Sequence, residues 1–322
     1  MNYKPSMIRM WAKLGTRGTM GLALLELANQ EDLIVLSADL VKTTGLERFQ
    51  KKFPQKIYNM GIAEQNMIGV AAGLANEGFV PFVTTFANFA TMRSYEQVRL
   101  HLGYMKLNVK ILGIGSGLSM GMFGNTHYGI EDIALMRALP NMTIISPADG
   151  LETMKAVIAA KEYNGPVYIR STGVINTPIV YNEDYEFCIG KAVQIKDGEE
   201  VICIANGTIV GNVLKAAELL EVDGINVKVI NMHTIKPLDE DTLQDLLHDA
   251  RVIFTIEEHS IIGGLGGAIA EYISQYTRPV KLVRLGLEDQ FVKSGDYYYM
   301  IEKNNLHPEG IRQSILNELL EK

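Results

Sequence analysis

Residues 57–98 read IYNMGIAEQNMIGVAAGLANEGFVPFVTTFANFATMRSYEQV, and this stretch decides the fold prediction. A short apolar run leads through Gly61 into a long segment rich in Ala, Gly and Met with helical spacing, so Glu64 falls in the first helical turn. An apolar strand is predicted directly afterwards, over residues 80–85. A strand, a helix and a second strand in this order indicate the βαβ unit of a parallel sheet.

Glu64 allows two interpretations. An acid in the first turn of a helix complements the helix dipole and caps unpaired backbone amides, which is its commoner role. The alternative is a buried acid that faces a ligand. The helix behind Glu64 carries small and apolar residues around most of its circumference, and a helix of that kind is expected to be buried.

Strands and helices alternate on both sides of this stretch. In the first part of the chain, strands are predicted at residues 33–36, 80–85, 109–113, 143–145 and 167–170. In the second part, strands are predicted at residues 192–195, 201–205, 227–230, 252–256 and 280–285. The segment 171–189 between them has no periodicity and is typical of a linker. We therefore predict an α/β fold with two α/β domains: residues 1–180, with a mostly parallel sheet, and a smaller domain of residues 181–322.

Composition and charge argue against several classes of partner. The 322 residues are 47% hydrophobic and 21% charged, as in ordinary globular proteins with real cores. The formal net charge of -7, without any basic block, predicts neither nucleic acid nor membrane as a partner. The sequence contains no long apolar run and no apolar core typical of a signal peptide, so a cytoplasmic location is expected. Cys188 and Cys203 are isolated, which indicates neither a zinc site nor a disulfide.

Residues 113–129, GIGSGLSMGMFGNTHYG, are too rich in glycine for a regular element and too long for a tight turn, so a functional loop is expected. His127 is the side chain of this segment expected to titrate near neutral pH, although a lone histidine is more often held by local hydrogen bonds. Arg170 lies at the exit of a predicted strand. Its guanidinium could pair with a surface carboxylate or offer two donors to a phosphate or carboxylate of a ligand.

Seven motifs, in the expected order, make the chain resemble the C-terminal half of a transketolase, as found in split transketolases whose two halves are separate polypeptides. They are NMGIAEQNMIGVAAGLA (59–75), TTFANF (84–89), FGNTHYG (123–129), SPADGLE (146–152), YIRSTG (168–173), NMHTIKPLD (231–239) and TIEEHSIIGGLGG (255–267). The motifs are specific for the family and much less specific for the substrate.

The resemblance implies a thiamine diphosphate enzyme in which the first domain binds the cofactor's pyrimidine and the second is the transketolase C-terminal domain. It implies that Glu64 hydrogen-bonds N1′ of the aminopyrimidine and so promotes removal of the thiazolium C2 proton, a role that suits a buried carboxylic acid. Phe86 and Phe89 fall at the positions that flank the pyrimidine, where a flat ring gains from stacking.

On the substrate side, the resemblance implies that His127 is catalytic and contacts substrate oxygen atoms, and that Arg170 contacts the acceptor phosphate. Phe123, however, stands four residues before His127, where familiar transketolases and deoxyxylulose phosphate synthases have aspartate, and Gly115 stands where a second transketolase histidine would align. An aromatic side chain in place of an anionic one makes this part of the substrate site apolar. This departure argues against the ordinary xylulose 5-phosphate donor, and both a standard and a modified sugar stay open as the substrate.

The family's magnesium motif is incomplete in this sequence. Family members hold the diphosphate through Mg²⁺ with a GDG motif and, a helix-length later, NN. Here Gly295-Asp296 lacks the second glycine, and Asn304-Asn305 follow too closely. We therefore assign no metal ligand to this chain. The resemblance implies an N-terminal transketolase subunit that carries the diphosphate-binding domain and Mg²⁺, in an α2β2 heterotetramer.

The function that the resemblance favours is transfer of a two-carbon ketol unit from a ketose or ketose phosphate to an aldose or aldose phosphate. Three alternatives stay open: the β subunit of a 2-oxo acid dehydrogenase E1 component, a deoxyxylulose phosphate synthase-like enzyme, and a non-catalytic scaffold paralogue. The NTHYG and TIEEHSIIGG segments favour transketolase over the dehydrogenase. Retention of Glu64 with both phenylalanines argues against the scaffold.

Overall fold

Two β-sheets flanked by helices organise the chain in the computed structural model, which describes residues 3–199, 201–276 and 279–320. The strands are β1 Leu33–Ser37, β2 Ile57–Asn59, β3 Val80–Phe86, β4 Lys110–Ile114, β5 Thr143–Ile145, β6 Val167–Ser171, β7 Val193–Lys196, β8 Val201–Ala205, β9 Val227–Asn231, β10 Thr234–Lys236, β11 Val252–Ser260 and β12 Lys281–Leu287. The α-helices are α1 Pro5–Leu27, α2 Glu47–Lys52, α3 Glu64–Asn76, α4 Tyr95–Gln97, α5 Asp132–Arg137, α6 Gly150–Glu162, α7 Val210–Val222, α8 Glu240–Asp249, α9 Leu265–Ile273, α10 Tyr297–Lys303 and α11 Pro308–Leu320. Short 3₁₀ segments lie at Pro54–Lys56, Gly121–Thr126 and Gly207–Ile209, and π-helical turns at Phe89–Arg93 and Val98–Tyr104.

The first sheet has seven strands in the order β10–β5–β6–β4–β3–β1–β2. Its strands run parallel to their neighbours, except that β10 runs antiparallel to β5. Strands β1, β4, β5 and β6 are buried along their whole length. Parallel strands covered on both faces consist of continuous apolar runs, which is why the sequence pattern located them. The predicted mostly parallel sheet is confirmed.

The second sheet has five strands in the order β12–β11–β8–β9–β7. Strand β7 runs antiparallel to β9, and the other pairs are parallel. All five strands predicted for the second part of the chain are present. The α/β fold class with two sheets is therefore confirmed.

Strand β10 departs from the predicted organisation because it leaves its own sheet. It follows β9 in the chain but pairs with β5 of the first sheet, with Thr234 opposite Ile145. Beside it, the backbone amide of Ser146 donates to the carbonyl of His233 at 2.7 Å. An edge strand without a partner exposes unpaired backbone groups. The pairing of β10 with β5 satisfies such groups of β5 and joins the two parts of the chain.

Helix α3 also departs from expectation, because it is not buried on all sides. Met67, Ile68 and Ala71 pack inwards, whereas Val70 and Gly73 are exposed. The sequence pattern was misleading because the outer face also carries small or apolar residues. Within the described ranges, no element of the chain covers that face.

Residues 89–104, which follow β3, form an irregular helical segment instead of one regular α-helix. Two π-helical turns, Phe89–Arg93 and Val98–Tyr104, flank the short helix α4. Wide turns of this type are rare and occur frequently at functional sites. None of the described helices is both long enough and apolar enough to cross a bilayer.

Candidate active site

The carboxyl ends of β2, β3 and β4 lie at one edge of the first sheet, and the segments that follow them carry the predicted site residues. Helix α3 begins at Glu64 shortly after β2, the first π-helical turn follows β3, and the glycine-rich segment follows β4. In open parallel sheets, ligands bind outside the carboxyl ends of the strands. This edge is therefore the expected position of a ligand site.

Glu64 is buried at the start of α3, with 2% of its surface exposed. Gly61 adopts a positive φ of 69° in the turn between β2 and α3, and its amide donates to the side-chain oxygen of Asn59 at 3.0 Å. One carboxylate oxygen, Oε1, accepts a hydrogen bond from Arg93 Nη1 at 2.9 Å. The other, Oε2, is buried and has no hydrogen-bond partner among the residues that the structure describes.

This geometry favours the ligand-facing interpretation of Glu64 over the capping one. The bond that the described chain provides to its carboxylate comes from an arginine side chain and not from the amides of α3. A buried polar atom without a partner costs about 1–3 kcal/mol, and native structures contain few of them. The orphaned carboxylate oxygen therefore indicates that a polar ligand atom completes the site.

Arg93 was not identified from the sequence. Its side chain is 44% exposed, and its guanidinium carbon lies 3.9 Å from the centre of the Phe89 ring, a cation–π contact. Arg93 therefore bridges the acid and the aromatic residues. The spacing of one helical turn between Phe89 and Arg93 was a signal that could have linked these two side chains.

The predicted aromatic residues form one cluster with His127. The ring centre of His127 lies 5.9 Å from that of Phe86, 5.3 Å from that of Phe89 and 5.1 Å from that of Phe123. Phe86 and Phe89 contact each other edge to face at 5.7 Å. Phe123 is 66% exposed, at the outer side of the cluster. The structure therefore brings together five of the six predicted site residues, if Glu64 is included through Arg93.

Backbone and side-chain contacts hold His127 in place. The Asn88 side chain, just after β3, donates to the Thr126 carbonyl at 2.8 Å, and the hydroxyl of Thr126 lies 2.9 Å from His127 Nδ1. Local hydrogen bonds, the alternative noted from the sequence, are therefore present together with the aromatic contacts. His127 is positioned on the same side as the phenylalanines because β3 and β4 are neighbours.

Gly115 is required by the packing at this edge. Its φ is 68°, and a Cβ atom there would lie 2.6 Å from the Met120 sulfur and 3.2 Å from the Phe86 ring. Real Cβ atoms do not approach that closely, so a larger residue would have to displace Met120. A histidine at this position would have a strained positive φ and would displace the Met120 side chain.

Arg170 lies away from this cluster, in the interior of the molecule. Its side chain is 2% exposed and pairs with Asp132, with 2.8 Å between Nε and Oδ2. Nη2 donates to the carbonyls of Gly129 and Glu258. Burial alone would lower the pKa of Arg170, but the Asp132 carboxylate beside it raises that pKa overall. The structure favours the ion-pair interpretation, with a buried carboxylate instead of a surface one. Contact with a substrate phosphate stays a prediction.

A group of buried ionisable residues around this ion pair was also missed by sequence reasoning. The Tyr168 hydroxyl donates to Asp132 Oδ2 at 2.6 Å, and Glu257, Glu258 and His259 follow one another at the end of β11. Burial raises the pKa of each glutamate to about 7 and lowers the pKa of His259 to about 4. The TIEEHSIIGG segment contained the signal, but three polar residues in succession do not reveal which of them are buried.

Comparison with known proteins shows which family has this architecture. The sequence profile of the transketolase pyrimidine binding domain matches residues 12–173, and that of the transketolase C-terminal domain matches residues 190–311. Fold and site together thus define an α/β protein made of a pyrimidine-binding domain followed by a transketolase C-terminal domain. The chain belongs to the transketolase family. The predicted domain boundary, between residues 180 and 181, lies in the interval that neither profile matches.

Relatives of similar length have the same architecture. A protein of Methanocaldococcus jannaschii named as a transketolase C-terminal section is 42% identical over 308 residues, which cover 95% of this chain and 96% of the relative. The 6-deoxy-6-sulfo-D-fructose transketolase subunit SqwH of Clostridium sp. (strain MSTE9) is 40% identical over 88% of each chain. A solved split-gene transketolase, an inactive β4 tetramer, is 40% identical with a TM-score of 0.85, covering 94% of this chain and 97% of the other.

The family depends on thiamine diphosphate, and the site fits one end of that cofactor. The orphaned Glu64 Oε2 matches a ring nitrogen that shares a proton, and the Phe86–Phe89 pair offers apolar surface for a flat ring. The described part of the chain contains no group of three or more His, Cys, Asp or Glu side chains that could hold a metal ion. The described residues at this site fit the pyrimidine end of the cofactor.

Proposed function

We propose that this chain is the C-terminal subunit of a split transketolase. In this proposal the assembled enzyme transfers a two-carbon ketol unit from a ketose or ketose phosphate to an aldose or aldose phosphate. An N-terminal subunit supplies the diphosphate and Mg²⁺ site. The observation that carries the proposal is the Glu64 carboxylate, which has one oxygen unpartnered within the described chain and the other held by Arg93, whose guanidinium packs over Phe89.

Glu64, Phe86 and Phe89 are the residues that would hold the pyrimidine ring. Bound thiamine diphosphate supplies an electron sink for breaking a carbon–carbon bond next to a carbonyl group. Glu64 Oε2 would share a proton with the ring, while Arg93 occupies Oε1 and fixes the orientation of the carboxylate. Phe86 and Phe89 would provide apolar surface beside the ring, and a low local dielectric would strengthen that hydrogen bond.

His127 and Phe123 form the substrate side of the site. His127 is held by Thr126 and packs against both phenylalanines, so its ring can contact substrate oxygen atoms near the reacting carbon. Phe123 can pack against a substrate, but its ring offers no acceptor to a sugar hydroxyl. We therefore propose a modified or nonstandard sugar as donor. The relative from Clostridium is 40% identical and is named for a 6-deoxy-6-sulfo sugar, which supports a modified sugar as donor.

A partner is part of the proposal because the site is incomplete in this chain. The outer face of α3, with exposed Gln65, Asn66, Val70 and Gly73, is next to Glu64 and is uncovered within the described residues. The β4 assembly of the split-gene relative is described as inactive, which supports a requirement for a second kind of subunit. We propose an α2β2 heterotetramer in the cytoplasm.

Reconstitution tests this proposal. The purified chain should show negligible ketol transfer and weak binding of thiamine diphosphate, and addition of the N-terminal subunit with Mg²⁺ should restore both. Ketol transfer is measured by a coupled assay with several ketose donors, and the N-terminal subunit alone is the control. Full activity of the isolated chain would contradict the split-enzyme proposal. Decarboxylation of 2-oxo acids without ketol transfer would favour the dehydrogenase alternative.

A further inference from the structure

Strand β11 ends in three consecutive buried ionisable side chains, Glu257, Glu258 and His259. Neighbouring residues of a strand point to opposite sides, and the two glutamates accordingly have different partners. Glu257 accepts hydrogen bonds from the amides of Leu265 and Gly266, at 2.7 and 2.8 Å, and so caps α9 within its own domain. Glu258 reaches across to the first domain.

The Glu258 carboxylate binds the base of the glycine-rich loop. Oε1 accepts a hydrogen bond from the amide of Leu118 at 2.7 Å, and Oε2 accepts one from the Tyr297 hydroxyl at 2.9 Å. Gly117, just before Leu118, has a φ of 63°, and a Cβ atom there would lie 2.2 Å from Oε1. The glycine therefore permits both the turn and the close approach of the carboxylate.

Both ends of this loop are fixed at the same place. Gly117 and Gly129 exchange two backbone hydrogen bonds, of 2.7 and 3.2 Å, which close the loop of residues 117–129. Arg170 Nη2 donates to the carbonyls of Gly129 and Glu258, at 3.0 and 2.8 Å. Glu258 thus holds the start of the loop through its carboxylate and the end of the loop through its carbonyl and Arg170.

The loop held in this way carries the substrate side of the proposed site. Phe123 and His127 lie within it, and His127 contacts Phe86 and Phe89. Within the loop, the Tyr128 hydroxyl donates to the carbonyl of Gly121 at 2.6 Å, so its two halves are tied together. A displacement at Leu118 would therefore be transmitted to the aromatic residues.

We propose that Glu258 is a positioning residue: from the second domain, it fixes the loop of residues 117–129 so that Phe123 and His127 face the cofactor pocket. A carboxylate that accepts a backbone amide in a dry environment forms one of the stronger hydrogen bonds in proteins. The loop's contact with substrate rests on the proposed function. Its anchoring by Glu258 does not.

Amide hydrogen exchange of the full chain tests the anchoring directly. In Glu258→Ala, exchange within residues 117–129 should rise about tenfold or more, because the buried acceptor of the Leu118 amide is lost. Glu258→Gln retains an acceptor oxygen of the same reach and should exchange like the unaltered chain. The matched control is Glu257→Ala, whose exchange should rise at the start of α9 but not in the loop.

Unchanged exchange in Glu258→Ala, or an equal rise in Glu257→Ala, would overturn the proposal. If Glu258→Ala does not fold, Glu258→Asp replaces it, since a carboxylate shorter by one methylene cannot keep the 2.7 Å bond without moving the backbone. A rise in loop exchange is then expected again, and its absence counts against the proposal.

Kinetics of the reconstituted enzyme provide the second measurement. Glu258→Ala should raise KM for the ketose about tenfold with a smaller effect on kcat, because orientation of the substrate is lost while Glu64 is intact. Glu258→Gln should restore KM. A fall in kcat at constant KM would contradict the positioning role. Absence of ketol transfer in the unaltered enzyme would refute the proposed function alone, and hydrogen exchange would still decide the anchoring.

Discussion

Glu64 and Asp132 are both almost completely buried, and each pairs with an arginine, yet their surroundings differ in one decisive way. Asp132 uses both oxygens, which accept from Arg170 and from the Tyr168 hydroxyl, and its arginine is 2% exposed. Glu64 has a half-exposed arginine on one oxygen, and its other oxygen is unpartnered as far as the described chain shows.

The difference shows how a structural ion pair is distinguished from a binding site. A buried charge with all its hydrogen bonds made holds elements together, and its loss leaves another charge unpaired. A buried charged group that has an unsatisfied hydrogen-bond acceptor next to apolar rings is costly unless a ligand donates the missing hydrogen bond. The pair around Asp132 belongs to the first class, and the site around Glu64 belongs to the second.

The largest expected effect is on catalysis at Glu64. Glu64→Gln in the assembled enzyme should lower the rate of C2 proton exchange of bound thiamine diphosphate about 10²–10⁴-fold, the range of general acid–base contributions. The melting temperature should change little, because the amide still fits the space. Exchange is measured by NMR in deuterated buffer. The matched control is Glu47→Gln, an exposed glutamate in the first turn of α2. Unchanged proton exchange would return Glu64 to a helix-capping role.

The next largest effect is on stability at Asp132. Asp132→Ala should lower the free energy of unfolding by about 3–5 kcal/mol, because Arg170 is then left buried without its counter-ion. Denaturant unfolding measures this value. Asp223→Ala, which removes the partner of Arg312 in a surface pair, is the control and should have little effect.

A double variant sharpens this test. Adding Arg170→Met to Asp132→Ala should recover part of the lost free energy of unfolding, because the unpaired arginine charge is then removed. Recovery should be incomplete, since Arg170 also donates to the carbonyls of Gly129 and Glu258. If Asp132→Ala lowers the free energy of unfolding no more than Asp223→Ala does, the distinction between the Asp132 pair and the Glu64 site is lost.

A smaller effect concerns pH. Burial raises the pKa of Glu258 to about 7, so the folded protein keeps this proton to a higher pH than the unfolded chain does. The stability from this group is fully present below the ordinary carboxyl pKa and is lost as pH rises through about 7. Glu258→Gln cannot titrate. Between about pH 5 and pH 8 the unaltered chain should therefore lose roughly 2–3 kcal/mol relative to Glu258→Gln.

Melting curves of both chains across this range measure the difference. The comparison between variants is needed because other groups titrate in the same interval: Glu257 is shifted in the same direction, and burial lowers the pKa of His259 to about 4. A constant difference in melting temperature from pH 5 to pH 8 would show that Glu258 is ionised throughout this range.

Much of the fold could be predicted from the sequence because its signals are local. The buried strands are continuous apolar runs, so almost every strand was located from the sequence. Strand β10 was not, since three residues have too little pattern to show that they join another sheet. The outer face of α3 was misjudged because small residues on it resemble buried ones.

The candidate site was predicted in part for the same reason. Glu64, Phe86, Phe89, Phe123 and His127 were named from motifs, and the structure places them at one edge of the first sheet. Arg93 was missed because nothing in its neighbourhood shows which acid it will meet 29 residues away. The contact of Arg170 with the acceptor phosphate was implied by the resemblance and stays a prediction. The sequence did not show that its guanidinium pairs with the buried carboxylate of Asp132.

The sequence by itself determined the alternation of strands and helices and the family, because both depend on residue type and on motifs of short spacing. The resemblance to that family then named the acid and the aromatic residues proposed for the pyrimidine. Tertiary structure alone decided which charges are satisfied. Whether a carboxylate is structural or available for a ligand depends on desolvation and on partners from distant segments. For that reason Asp132 and Glu64, two acids at helix starts in sequence, differ in the folded chain: both oxygens of Asp132 are paired, whereas Glu64 Oε2 has no partner within the described residues.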